Sequence, residues 1–125
     1  MIRDEAVLKQ LSALYVEDND AMRESLGKYM RRRFGELWLS QNGKEGLELY
    51  KKHCPDIVIT DIEMPVMDGI TMITKIREIN DDQPIIITTA FNDDEHTNIR
   101  CLNLIKPIDA ERLIDAVLYC VGKVS

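Results

Sequence analysis

The sequence predicts an α/β domain: a doubly wound, five-stranded parallel sheet with helices on both faces. Short β-rich apolar runs alternate five times with amphipathic stretches, the pattern of a repeated strand–helix unit. The run Ile57, Val58, Ile59, Thr60 has no inside–outside alternation, as a strand buried on both faces requires. At 125 residues, 45% hydrophobic and 30% charged, the chain suits one core without a linker or internal repeat.

Residues 1–10 read as an N-terminal extension or extra helical turn ahead of a core from about residue 11 to 121. Ser12 to Val16 form the first strand, and the polar run Glu17, Asp18, Asn19, Asp20 ends it while offering N-cap acceptors to a helix from about Ala21. Met22, Leu26, Tyr29 and Met30 share one face of that helix, and Gly35 is expected to stop it. Leu37 to Leu39 supply a short second strand, and a helix around Glu45 to Lys52 ends before Pro55. The central strand then delivers Asp61 to its carboxyl end. A loop with Pro65 and Gly69 leads to a third helix with Ile70, Ile73 and Ile76 inward. Ile85 to Thr88 form the fourth strand, a weak helix follows near Asp93 to Arg100, and Leu102 to Ile105 form the fifth strand. Pro107 blocks its continuation, and Asp109 caps a last helix with Leu113, Val117 and Cys120 inward.

A formal net charge of -6 argues against a nucleic-acid or anionic-membrane footprint. The run Arg31, Arg32, Arg33 fits the carboxyl end of a helix, where the macrodipole favours cations. Cys54, Cys101 and Cys120 are odd in number and lack CxxC spacing, and with His53 and His96 they form no ligand pattern. No stretch approaches the roughly 20 apolar residues of a membrane span, and the charged amino terminus is unlike a signal peptide. The expected compartment is the cytoplasm.

In open sheets of this class ligands bind beyond the carboxyl ends of the strands. Glu17 and Asp18 follow the first strand, Asp61 ends the third, Thr89 follows the fourth and Lys106 follows the fifth. Two like charges about 4 Å apart repel by roughly 4 kcal/mol at an effective dielectric near 20, so three convergent carboxylates need a cation. Oxygen-only ligands suit Mg²⁺, and Lys106 adds a fixed positive charge. A carboxylate so placed can act as a nucleophile toward phosphorus, with Thr89 offering a hydroxyl to the transferred group. The bland readings are N-capping for Glu17 and Asp18, a strand-ending polar residue for Asp61, an ordinary β-branched residue for Thr89 and a solvated charge for Lys106. Their shared location favours the site.

Four motifs, Tyr15-Val16-Glu17-Asp18-Asn19, Val58 through Gly69 with its DxxMPxMDG core, Ile87-Thr88-Thr89-Ala90 and Ile105-Lys106-Pro107, closely resemble the receiver domains of two-component response regulators, including chemotaxis receivers. The resemblance runs from about Leu11 to Val121. It implies a flavodoxin-like sheet of order 2-1-3-4-5. It further implies Asp61 as phosphoacceptor and Asp18, Asp61 and the backbone carbonyl of Glu63 as Mg²⁺ ligands, with Glu17 acting through a metal-bound water. Thr89 corresponds to the switch hydroxyl and Lys106 to the phosphate-binding lysine. The implied donor is a sensor histidine kinase or histidine phosphotransfer protein, and the implied receiver of the signal is a downstream protein or fused output domain. A homodimer through the face of the fourth helix, fifth strand and last helix is another arrangement the family suggests. Two departures stand out. Asn103 occupies the position, three before Lys106, where receivers usually carry an aromatic residue. The segment from Thr89 to Lys106 is about one helical turn short of the family's, at ~3.6 residues per turn.

No turnover of external substrate is expected beyond self-phosphorylation and autodephosphorylation. The competing readings are a Mg²⁺-dependent phosphatase with an aspartate nucleophile, for which Glu63 has the spacing of a second carboxylate, and a pseudo-receiver that binds partners without modification.

Overall fold

Residues 5–64, 66–90 and 102–122 are described by the computed structural model. Pro65, His96, Cys101 and the helix expected near Asp93 to Arg100 lie outside the described residues. A 3₁₀ turn over Glu5–Gln10 precedes β1 (Ser12–Val16), α1 (Asp20–Arg31), β2 (Glu36–Ser40), α2 (Gly43–His53), β3 (Ile57–Asp61), α3 (Gly69–Ile79), β4 (Ile85–Thr89), β5 (Leu102–Ile105) and α4 (Ala110–Cys120). All strand pairs are parallel, in the order β2-β1-β3-β4-β5. The direction of winding therefore reverses between β1 and β3, which opens a crevice at their carboxyl ends.

Strand alternation sorts the core into two layers. Ala13, Tyr15, Ile57, Ile59 and Ile86 pack with Leu26 and Met30 of α1 and with Leu113 and Val117 of α4. Leu14, Val16, Val58, Ile85 and Ile87 pack with Leu47 and Tyr50 of α2 and with Met72, Ile73 and Ile76 of α3. Every residue of β3 and β4 is buried, which accounts for their continuous apolar runs. Cys120 is only partly buried at the rim of the first layer.

Each α-helix starts on a polar cap. The side chains of Asn19, Asn42, Asp68 and Asp109 accept from Met22, Glu45, Thr71 and Glu111 backbone N–H groups respectively, satisfying donors that have no partner within the helix. Asn19 is the cap of α1, while Asp20 pairs with Arg23 at 2.6 Å. Gly35 is not the stop of α1, which ends at Arg31; its N–H bonds the carbonyls of Leu8 and Leu11, where the amino-terminal turn crosses beneath it. Arg33 is likewise internal to the fold, its guanidinium over the Tyr29 ring at 3.6 Å and 3.3 Å from Glu5.

Gly69 ties the fold to the crevice. Its N–H donates to Ile62 O at 2.8 Å, and a Cβ there would overlap the Asp61 carbonyl and Ile62 Cα. We expect Gly69→Ala to destabilise the domain by about 1–3 kcal/mol, the usual cost of overpacking, read as a lower denaturant midpoint at unchanged slope.

Candidate functional site

Five strands in parallel register bring their carboxyl ends to one edge of the sheet. Glu17 continues the β1–β2 ladder by donating its N–H to Ser40 O at 3.0 Å, and this fixes its side chain inward with no exposed surface. Its Oε2 accepts from Asn19 N–H at 3.1 Å, and its carbonyl accepts from Arg23 Nη1 at 2.8 Å. Asp18, next in the chain, is exposed. Asp61 is the last residue of β3 and retains 9% of its surface; Oδ1 accepts from Ile62 N–H at 2.7 Å.

Lys106 is anchored through its backbone, donating to Thr89 O at 2.7 Å, just before a cis bond to Pro107. Its Nζ donates to Asp61 Oδ2 at 2.9 Å and to Glu17 Oε1 at 3.1 Å. One ammonium thus bridges the acids of two neighbouring strands. Burial alone would depress Lys106, but its hydrogen bonds to Asp61 and Glu17 and their charges outweigh burial and hold the ammonium above its ordinary 10.5. Burial pushes the Glu17 carboxyl up from its ordinary 4.5, Asp61 pushing the same way, and the Asn19 N–H and Lys106 only partly offset this. The buried Glu17 carboxylate is therefore under-compensated.

A carboxylate oxygen from each of Glu17, Asp18 and Asp61 lies within 4.8 Å of the others. This donor set is entirely hard oxygen, with one member exposed, and it fits a divalent ion that keeps waters, as Mg²⁺ does. Glu63 sits two residues beyond Asp61 in the loop to α3, with its side chain exposed. Thr89 closes β4 and is 6% exposed. Five of the six residues singled out from sequence are tied together by contacts or by backbone bonds at this edge, and Glu63 adjoins it along the chain. Sequence reading missed Arg23 and Tyr15. Nothing in the primary structure marks Arg23 as a ligand of the Glu17 carbonyl. Tyr15 shares the face of Glu17 by alternation; its hydroxyl is buried without a partner, and burial followed by the charges of Glu17 and Asp61 drives its pKa far up.

A family profile described as the response regulator receiver domain matches residues 13–118. The chain belongs to the response regulator receiver domain family. The domain is similar to the transcriptional regulatory protein AfsQ1 of Streptomyces coelicolor, at 31% identity over 88% of this chain and 50% of that protein. It is also similar to the chemotaxis protein CheY of Halobacterium salinarum, at 35% identity over 66% of this chain and 68% of that protein. Among solved structures, the N-terminal domain of an uncharacterized protein from Wolinella succinogenes superimposes with a TM-score of 0.83 at 32% identity, covering 90% of this chain and 94% of its own. CheX–CheY–BeF₃–Mg²⁺ from Borrelia burgdorferi gives 0.80 at 26% identity, covering 87% of each chain. The receiver spans half the length of AfsQ1 and 33% of that of a response regulator MprA. Receiver domains are modules of phosphorylation-based signalling; as a family they bind Mg²⁺, interact with histidine kinases and output domains, and do not turn over external substrates. No described helix is long and apolar enough to cross a membrane.

The raised carboxyl of Glu17 has a consequence for stability. An acid whose folded pKa lies above its unfolded value binds more protons folded than unfolded, so it subtracts stability as pH rises through that window. In metal-free buffer we expect the difference in unfolding free energy between wild type and Glu17→Gln to move against the wild type as pH rises above 4.5. Paired denaturant titrations across that range check the sign.

Proposed function

We propose that Asp61 is the phosphoacceptor of this receiver and that the geometry around Lys106 is what makes it one. The observation that carries this reading is the Lys106 ammonium, 2.9 Å from Asp61 and 3.1 Å from Glu17. It holds a carboxylate nucleophile at the mouth of the crevice beside an acid pair suited to a cation. In the transfer, an Asp61 oxygen bonds to phosphorus while the phosphorus–nitrogen bond of a phosphohistidine breaks, its electron pair leaving with the imidazole. Sensor histidine kinases and histidine phosphotransfer proteins are the donors of that chemistry. Asp18, Asp61 and the backbone carbonyl of Glu63 would hold Mg²⁺, with Glu17 acting through a bound water. Once bound, the ion would neutralise charge on the transferred group, the main requirement of phosphoryl transfer.

Lys106 is free to follow the phosphoryl oxygens because its backbone, not its side chain, fixes the end of β5. Thr89 shares that backbone link and is the switch hydroxyl, donating to the phosphoryl group and drawing the ends of β4 and β5 with it. With Asn103 in place of the usual aromatic, the displacement is carried by the strand ends and the face of β5 and α4. That face is the surface for a downstream protein, a fused output domain or a second copy. The functional unit is one receiver domain with its core from about residue 11 to 121, working in the cytoplasm and acting only on its own phosphoryl group.

Intact mass after incubation with acetyl phosphate and Mg²⁺ should show one added phosphoryl group on wild type and none on Asp61→Asn. Wild type that gains no mass where a control receiver does would overturn the assignment. Thr89→Ala should still take up the group but lose the accompanying change in amide hydrogen exchange across β4 and β5. An exchange response equal to wild type would remove Thr89 from the switch.

A further inference from the structure

The register places a second hydroxyl closer in the sheet to Asp61 than Thr89. Asp61 is the Cα partner of Thr88, and Thr88 is the partner of Leu104. Side chains alternate along a strand and match across a parallel pair. Two positions earlier the partners Ile59 and Ile86 both lie in the core layer beneath α1 and α4, so Asp61 and Thr88 face that same side. Thr89 faces the other.

Lys106 stands two residues beyond Leu104 and starts from the Thr88 face. Its ammonium reaches Asp61 at 2.9 Å across the sheet, from the β5 end to β3. Neighbouring strands are about 4.8 Å apart, so the lysine stem passes over the end of β4, where Thr88 lies. Thr88 is 1% exposed, and its Oγ1 has no hydrogen-bond partner. An unpaired buried hydroxyl works against the fold. This one is idle on the strand beside the proposed nucleophile.

We propose that Thr88 is a positioning residue for modified Asp61, its hydroxyl donating to the carbonyl oxygen of the aspartyl phosphate. The proposal rests on the assignment of Asp61 as acceptor. When one Asp61 oxygen joins phosphorus and the donor's bond to phosphorus breaks, the remaining oxygen becomes an acyl carbonyl and Lys106 is drawn toward the phosphoryl oxygens. With Oδ1 as the oxygen that reacts, the carbonyl is Oδ2, and the departure of Lys106 leaves it a lone pair open. Thr88 and Asp61 are register partners on neighbouring strands, which lie about 4.8 Å apart, so a change of Thr88 χ1 between staggered positions brings its O–H within reach. The hydrogen bond forms only in the modified state and so favours that state.

Thr88→Val deletes the hydroxyl and keeps the shape. The acetyl phosphate concentration giving half modification at fixed Mg²⁺, read by intact mass, should rise about 3- to 10-fold, the range of one net hydrogen bond. Thr88→Ser should restore most of it. Mg²⁺ affinity of the unmodified protein, by calorimetry, should be unchanged, and the unmodified Val variant should be at least as stable as wild type. An unmoved half-point, a parallel loss of Mg²⁺ affinity, or no rescue by Ser overturns the proposal while leaving Asp61 as acceptor. Wild type that takes up no phosphoryl group removes both.

Discussion

The constraint on which the site depends is the burial of Glu17. A carboxylate with no exposed surface cannot be solvated by water, so the protein must supply its partners, and it supplies Asn19 N–H and Lys106 Nζ. Because Glu17 draws on Lys106, the lysine is kept at the centre of the crevice instead of extending into solvent, and Asp61 is placed on the same ammonium. Asp61 is thereby oriented twice, by Ile62 N–H on one oxygen and by Lys106 on the other. As the proposed nucleophile, Asp61 would lose little orientational freedom on reacting.

The sheet makes this possible because parallel strands of matched length end together. β1, β3, β4 and β5 carry their acids, hydroxyls and lysine on the residues at or just past their carboxyl ends, and the Thr89–Lys106 backbone bond at 2.7 Å locks the last two ends in step. The glycines serve the same end. Gly69 lets α3 start against the Asp61 carbonyl, and Gly43, whose N–H donates to Met67 O at 3.0 Å, holds the β3–α3 loop against α2. The loop after Asp61 is thus pinned at two points near that carboxylate.

Much of this was legible in the chain because the relevant signals are local. The buried strands β3 and β4 announce themselves as unbroken apolar runs, and the capping roles of Asn19 and Asp109 are visible where polar residues precede amphipathic stretches. The edge strand β2 is longer than its apolar residues indicate, since Glu36 and Ser40 pair with β1 through backbone alone. Gly35 looked like a helix stop because that is glycine's commonest use, yet here it admits the carbonyls of Lys9 and Leu11 at close approach. At the site, residue identities and strand-end positions could be read, but who touches whom could not. That Glu17 is buried while Asp18 is exposed depends on which face of the sheet each side chain takes, and this in turn is set by the register of β1 against β3. Thr88 was invisible for the same reason: in a strand it reads as one more β-branched residue, and only its pairing with Asp61 gives it a neighbour.

Charge summation at the crevice explains why hydroxyls, not further cations, complete it. Glu17, Asp18 and Asp61 bring three negative charges and Lys106 one positive, an excess that a single divalent ion would cancel. A phosphoryl group carries about 1.5 to 2 negative charges near neutral pH and replaces a carboxylate that carried one, so modification leaves the site more negative by up to about one charge. A second lysine placed to meet that change would close the unmodified site by pairing with the same acids. Hydroxyl donors avoid the problem: they are neutral, cost nothing in Coulomb energy while the site is unmodified, and donate once negative oxygen arrives. Thr89 on one face of β4 and Thr88 on the other are the two hydroxyls this fold sets at that strand end, and their difference in face would let one act on the phosphoryl oxygens and the other on the acyl group from which they would hang, as proposed above.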